Sequence, residues 1–320
     1  MRPLGRRLLT LSPLLLAALA WGAPAAAQDR SGDPDDNDGP TRTLGGHTFI
    51  PSQNVRAPFT ASSVGSYTGV GYAGITVTPP NGDPQLNYQL AAAGLGFDFQ
   101  LGLAPWWSVY VEGSGSLLSG INLVSALEAG ASARYDARAG TTFSWAHRDR
   151  VRLGASIDAG YSPEYNFNIV GAIVNSISAG RVDARTLFTN TQHLELGGAL
   201  QAAVTLHRAI GVFGEVRYTH DFTKVNDDPT NTARFRAGLG LSVDLHAVSP
   251  IPFGFLGTWR ASAGVEPGAQ LIHDVSAGFF YTARRHLVLG AEAQITLLPK
   301  STVANVTIAQ AVLLLRYYWQ

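Results

Sequence analysis

The chain contains no cysteine, and only 14% of its 320 residues are charged. The missing cysteine excludes a secreted module built on disulfides and a lipid-anchored N-terminal cysteine. With 46% hydrophobic residues and so few charges, the chain is not expected to be intrinsically disordered. The formal net charge is +0, and nothing in its distribution indicates a nucleic-acid partner.

Long hydrophobic runs are also missing after the first 27 residues. A transmembrane helix needs about 18 or more consecutive apolar residues, and no later stretch offers them. Any membrane-spanning segment must therefore be made of strands. Glycine is plentiful, with 35 residues, and glycine is common in the turns that connect strands.

Residues 1–27 have the pattern of a secretory signal peptide. Arg2, Arg6 and Arg7 precede an apolar stretch from Leu8 to Leu19, and three alanines end at Ala27. We expect cleavage after Ala27, since the apolar stretch is short for a membrane anchor of about 20 residues. An uncleaved anchor is the alternative. Removing the three arginines leaves 20 basic against 23 acidic residues, a net charge near −3.

Residues 28–65 differ in composition from the rest of the chain. Five aspartates between Asp29 and Asp38 lie among glycine and proline, which predicts a flexible periplasmic arm. The segment His47 to Phe59 is less polar and could fold into the mouth of a barrel as a plug. Calcium binding is not predicted, because the acidic run has two prolines and no closing glutamate. The sequence predicts no metal site and no cofactor.

Residues 66–320 predict an all-β, up-and-down antiparallel barrel. The end of the chain is typical: positions Ala309, Ala311, Leu313, Leu315, Tyr317 and Trp319 alternate along one apolar face. Five hairpins with tight turns can be traced by the same alternation. With Ser66 to Val77 in front and Asn305 to Trp319 behind, the count is twelve strands. A soluble β-sandwich is the alternative, but it does not account for the aromatic closing face.

The signal pattern, the hairpin series and the closing strand resemble bacterial outer-membrane β-barrel proteins as a class. The resemblance implies an outer-membrane location in a Gram-negative cell, with contact to membrane lipid. It also implies that the last strand, with Trp319 near its end, is recognised by the barrel-assembly machinery. In this class, tight turns lie in the periplasm and long loops outside. The long loops are expected at 78–87, 117–130, 162–193, 223–233, 266–273 and 298–304.

The face opposite the lipid would carry charges of both signs. The candidates for a solute path are Arg134, Asp136, Arg138, Arg152, Asp158, Glu215, Arg217, Arg234, Arg236, Arg260 and Arg316. Asp98, Glu112, Glu195, Asp244 and Glu292 share that face. These side chains could pair with one another and rigidify the interior. Alternatively, clustered arginines could draw an anionic solute inward, along a wall near Arg134, Arg138 and Arg152.

Two external loops carry apolar residues at helical spacing. In the first, these are Ile169, Val170, Ile173, Val174 and Ile177; in the second, Leu117, Ile121, Val124 and Leu127. Both predict short helical segments. They could pack together as a lid, or they could capture an apolar molecule.

Catalytic patterns are weak. The glycines at 69, 71 and 74 match a dinucleotide-binding spacing but lie in a strand. His220 and Asp221 are adjacent, so on a strand they would point to opposite faces. We therefore expect no enzyme but a passive channel or carrier for a small anionic or apolar solute. A closed structural or adhesive barrel is the main alternative, and an outer-membrane hydrolase is a third.

Overall fold

The structure is a computed structural model that describes residues 42–77, 86–122, 125–126, 130–167, 188–225, 228–266, 268–299 and 304–319. The signal segment and the acidic run lie outside these residues, as does the loop from Ile169 to Ile177. The strands are β1 (Thr43–Leu44), β2 (His47–Thr48), β3 (Ser62–Val77), β4 (Leu86–Ala104), β5 (Trp107–Gly120), β6 (Ala131–Arg148), β7 (Val151–Phe167), β8 (Phe188–His207), β9 (Ile210–Val225), β10 (Asp228–Asp244), β11 (Phe253–Gly264), β12 (Ile272–Tyr281), β13 (Leu287–Leu297) and β14 (Ala304–Trp319).

Strands β3 to β14 form a closed antiparallel barrel of twelve strands. Each strand pairs with its neighbours in sequence, and β14 closes the sheet against β3, from Ala304 opposite Val77 to Trp319 opposite Ser62. Closure leaves no unpaired edge, which hydrocarbon would not tolerate. The predicted fold class and strand count are confirmed.

Side chains alternate across the barrel wall. On β14, Leu313, Leu315 and Tyr317 are 61%, 46% and 51% exposed on the outside, whereas Leu314 between them is 3% exposed and faces inward. Residues on a strand point alternately to its two faces. The same pattern on the other strands gives an apolar outer surface and an interior that can hold polar groups.

The strands extend further than the sequence predicted. β5 continues to Gly120, so Leu117 lies in a strand and not in a helical loop. β9 and β10 reach Val225 and Asp228, so most of the loop expected at 223–233 is strand. Conversely, the turn between β10 and β11 spans 245–252 and contains a short 3-10 helix, Leu245–Ala247. Loop length therefore alternates less strictly than expected.

A segment that is not part of the wall lies inside the barrel. Residues 42–61, which we call the plug, precede β3 and begin with the hairpin of β1 and β2. Gly45 and Gly46 form its two-residue turn with φ of 54° and 78°. Both positions need positive φ in the hairpin turn that suits twisted strands, and glycine adopts it without strain.

The plug and the inward wall residues form a small hydrophobic core. Its members from the plug are Leu44, Phe49, Ile50, Val55 and Ala61, and its members from the wall include Phe213, Leu256, Phe280, Val288 and Leu314. Arg42 and Thr60 contact the turns at Arg285 and Pro105, so the core lies at the end of the barrel that carries the turns 105–106, 149–150 and 208–209. No helix among the described residues has the length and apolar content needed to cross a membrane.

Candidate functional site: the lumen and its plug

Hydrogen bonds from side chains fix the plug to the wall. Ser242 Oγ accepts from the backbone N–H of Ile50 at 3.1 Å and lies 3.1 Å from His47 Nε2. Thr205 donates to the carbonyl of Leu44 at 2.6 Å, and Ser144 donates to that of Pro58 at 2.6 Å. The bonds to Ile50 and Pro58 satisfy backbone groups that lie outside any strand.

Arg56 joins the inner end of the plug to strand β5. Its guanidinium forms an ion pair with Glu112 and lies 3.5 Å from the ring centroid of Tyr110. Burial would lower the pKa of Arg56, but the Glu112 carboxylate and the Tyr110 hydroxyl raise it above its ordinary value. Arg56 therefore stays charged, and it is the main electrostatic contact between plug and wall.

A cavity of about 270 Å³ lies between the plug and the wall. Arg56, Phe49 and Phe59 line it from the plug, and Asp136 and Arg138 line it from the wall. Apolar rings on one side and charged groups on the other suit a small amphipathic molecule.

Most of the predicted lumen charges form ion pairs across the strands. Asp158 accepts from Arg217 Nη1 at 2.8 Å and from the Tyr110 hydroxyl at 3.0 Å. Arg138 lies 3.6 Å from Asp158 and 2.6 Å from Glu195. The group is nearly enclosed, since the side chains of Asp158 and Arg217 are 2% and 6% exposed.

Three further ion pairs lie on the inner face of the barrel wall. Arg260 contacts Asp274 at 2.7 Å, and Arg316 contacts Asp98 at 2.7 Å. Arg134 contacts Asp136, two residues along the same strand, at 3.0 Å. Because the last two side chains are more than 40% exposed, that pair contributes little stability.

Arg152 and the arginines of β10 differ from this pattern. Arg152 donates to Ser144 and to the carbonyl of Pro105, and lies 5.6 Å from the Phe59 ring. It therefore belongs to the contact with the plug. Arg234 and Arg236 face the lumen but have no ion pair or hydrogen bond within the described part of the chain. Glu215 accepts from Gln201 at 3.3 Å.

The histidine and aspartate considered for catalysis are separated by the wall. His220 stacks edge-on against Phe222 at 4.5 Å, while Asp221 faces inward and contacts His193 Nδ1 at 3.0 Å. The same Nδ1 lies 3.0 Å from Thr223 Oγ1. Ser162 is opposite His193 on β7, and its hydroxyl does not hydrogen-bond to His193 within the described residues. Thr223 itself donates to Asp221 Oδ1 at 3.1 Å, so its hydroxyl proton is shared with the carboxylate, and Thr223, Asp221 and His193 form a closed hydrogen-bonded group.

Sequence reasoning missed two sets of residues. It assigned no role to Arg56, although a single arginine in an otherwise apolar segment is an available signal. It also missed the inward apolar residues such as Phe213, which shares its strand face with Glu215 and Arg217. Among the described residues, no group of three or more potential ligands is placed to bind a metal ion.

Comparison with known proteins adds evidence on the fold. No protein-family model and no curated protein matches the chain. An outer membrane channel from Pseudomonas putida F1 superposes with a TM-score of 0.53 at 13% identity, covering 84% of this chain and 99% of that one. The chain is a β-barrel of the outer-membrane type.

Other solved barrels align less closely. The translocator domain of the autotransporter NalP from Neisseria meningitidis has a TM-score of 0.49 at 10% identity, covering 80% of this barrel chain and 88% of that one. The Pseudomonas putida toluene transporter TodX has a TM-score of 0.43 at 12% identity, with coverage of 88% and 97%.

Proposed function

We propose that the protein is an outer-membrane channel that lets a small solute pass passively, and that the plug closes its periplasmic end. The proposed location follows from the apolar outer surface, with the leader at 1–27 removed on export. Membrane lipid is the proposed environment, and the barrel-assembly machinery the proposed partner of β14. The similar barrel from Pseudomonas putida F1 is itself a channel, but no solute follows from that.

One observation carries the proposal: the barrel is closed by a segment that is not part of its wall. The plug is held by side-chain hydrogen bonds, the Arg56–Glu112 pair and a small apolar core. It can leave without breaking any pairing between β3 and β14. Since the wall is lined by charged and polar groups, release of the plug would open a water-filled path through the barrel.

A permanently closed structural barrel is the second candidate. The observation in its favour is the ion-pair group around Asp158, which fills part of the lumen and stiffens it. Paired charges of this kind can hold a shape without conducting a solute.

Conductance in planar bilayers distinguishes the two candidates. We expect the refolded protein to show infrequent current steps, and we expect Arg56→Ala to increase the open fraction. Losing a partly buried charged hydrogen bond should increase that fraction by about tenfold, or less after screening by solvent. The ratio of the two open fractions is the measurement.

Arg134→Ala is the matched control, because it removes a lumen arginine that contacts neither the plug nor a buried carboxylate. Its open fraction should stay near that of the original protein. If correctly inserted barrels carrying Arg56→Ala show no current at all, the channel proposal fails and the structural role stands.

A further inference from the structure

Arg236 lies on the lumen face of β10. Phe235 beside it is 52% exposed on the outer surface, and the alternation places Arg234, Arg236 and Gly238 inward. A Cβ built on Gly238 would contact the Val55 side chain of the plug at 2.7 Å. Since two residues of a strand span about 7 Å, Arg236 is the next inward side chain beyond the inner end of the plug.

The charges around Arg236 do not balance. Arg260, Arg138 and Arg234 act on it as like charges, and Glu195 is the carboxylate that opposes them. Arg217 is directly opposite on β9, and like charges in that position destabilise a sheet.

The neighbouring arginines are already neutralised. Arg138, Arg217 and Arg260 pair with three carboxylates, those of Asp158, Glu195 and Asp274. Arg234 and Arg236 remain without a carboxylate partner among the described residues.

We propose that Arg236, with Arg234 beside it, binds the oxyanion group of a small solute, either a carboxylate or a phosphate, just above the plug. This inference rests on the proposed channel and names the class of solute that would enter it. A guanidinium presents a planar pair of N–H donors that matches both groups. A bound anion would neutralise these two guanidinium groups and satisfy donors for which the described wall supplies no acceptor.

Arg234 and Arg236 were among the arginines predicted for a solute path, but the sequence placed the passage itself near Arg134, Arg138 and Arg152. Arg134 and Arg138 are engaged by carboxylates, and Arg152 by Ser144 and the Pro105 carbonyl. An anion at those residues would have to displace an existing partner. At Arg236 it displaces only water, so binding there costs less.

Isothermal titration calorimetry of the full barrel in detergent tests the proposal. Sodium benzoate and sodium phosphate are titrated separately at low ionic strength, with benzyl alcohol as a neutral molecule of similar shape. We expect saturable binding of at least one anion and none of benzyl alcohol. Arg236→Gln should weaken binding by about tenfold or more, because it removes a charged donor pair.

Arg284→Gln removes one exposed arginine from the turn between β12 and β13 and should bind anions as the original protein does. Arg236→Lys, which keeps the charge, should retain part of the affinity and covers the case in which Arg236→Gln fails to fold. Binding of benzoate alone would identify a carboxylate as the ligand, and binding of phosphate alone would identify a phosphate. Binding of both would show that the site accepts either group.

Absence of saturable anion binding to the original protein would overturn the proposal, as would equal binding by Arg236→Gln. Binding is measured at equilibrium and conduction in bilayers. A barrel that binds anions but never conducts therefore keeps this site and loses the channel, whereas one that conducts without anion binding does the reverse.

Discussion

Asp158 is at the centre of a group of ion pairs in the lumen. Its carboxylate accepts from Arg217 and Tyr110 and lies 3.6 Å from Arg138, while its own side chain is 2% exposed. A buried carboxylate is stable only when such partners replace its hydration. Conversely, Arg217 depends on Asp158 for neutralisation, whereas Arg138 also pairs with Glu195.

We therefore expect Asp158→Asn to destabilise the barrel strongly. The amide would place donors against the donors of Arg217 and leave that buried guanidinium without its carboxylate. Loss of one partner of a buried pair costs about 3–5 kcal/mol. Urea unfolding in detergent, followed by the heat-dependent shift in gel mobility, measures the change.

Asp136→Asn is the control for the same substitution in the same lumen. Its pair with Arg134 is more than 40% exposed on both sides, so a loss of about 1 kcal/mol or less is expected. Equal losses at the two positions would show that burial does not determine the contribution of these pairs.

At the scale of the element, β12 shows why the barrel has two different surfaces. Phe279 is 45% exposed on the outer face, and the adjacent Phe280 is 0% exposed in the inner core. The Phe280 ring lies over Gly290, its partner on β13, where a Cβ would overlap it. Glycine therefore makes the room that lets a large ring fill a narrow interior.

This arrangement predicts unequal effects of the same substitution at neighbouring positions. Phe280→Ala should cost about 3–5 kcal/mol, since it opens a cavity that the rigid wall cannot close. Phe279→Ala should cost less than half of that, because detergent or lipid fills the space. Unfolding free energies of the two variants give the comparison, and equal costs would contradict the assigned faces.

The strands were predictable from sequence because lipid imposes alternation, as Leu313, Leu314 and Leu315 illustrate. Their ends were not, because a strand that continues beyond the lipid can be polar on both faces. The segment from Thr223 to Ala233 shows this: its composition is typical of a loop, yet most of it is strand.

The sequence could predict which residues face the lumen, but not which of them contact one another. Arg138 and Arg236 have the same sequence signature, but one meets two carboxylates and the other meets none among the described residues. Which inward residues meet across the barrel depends on the register of every strand pair. Local alternation does not contain that information.

At the scale of the whole molecule, the two halves of the lumen differ in how they are closed. The outer half is lined by charges, and the half near the short turns is filled by the plug and its apolar core. His47 packs against Phe49 of that core and is 0% exposed, with Nδ1 3.2 Å from the Arg208 carbonyl. Since a carbonyl only accepts, Nδ1 carries the proton and Nε2 accepts from Ser242.

Docking of the plug in the barrel should therefore weaken in acid. Burial lowers the pKa of His47 below its ordinary value of 6.5, with Arg42 acting in the same direction and the Arg208 carbonyl and Asp244 acting against it. Above that pH the histidine is neutral whether the plug is docked or released, so docking has its full strength. As the pH falls below 6.5, the released plug takes up the proton first, and docking weakens by at most about tenfold per pH unit.

A single cysteine measures this, because the chain has none of its own. Val55→Cys places a thiol at a plug position that is 1% exposed, and its rate of maleimide labelling reports release of the plug. The same cysteine with His47→Asn corrects for the pH dependence of the reagent. The labelling rate with His47 present, divided by the rate with His47→Asn, should rise from pH 7.5 to pH 5. A constant ratio would mean that protonation of His47 does not release the plug.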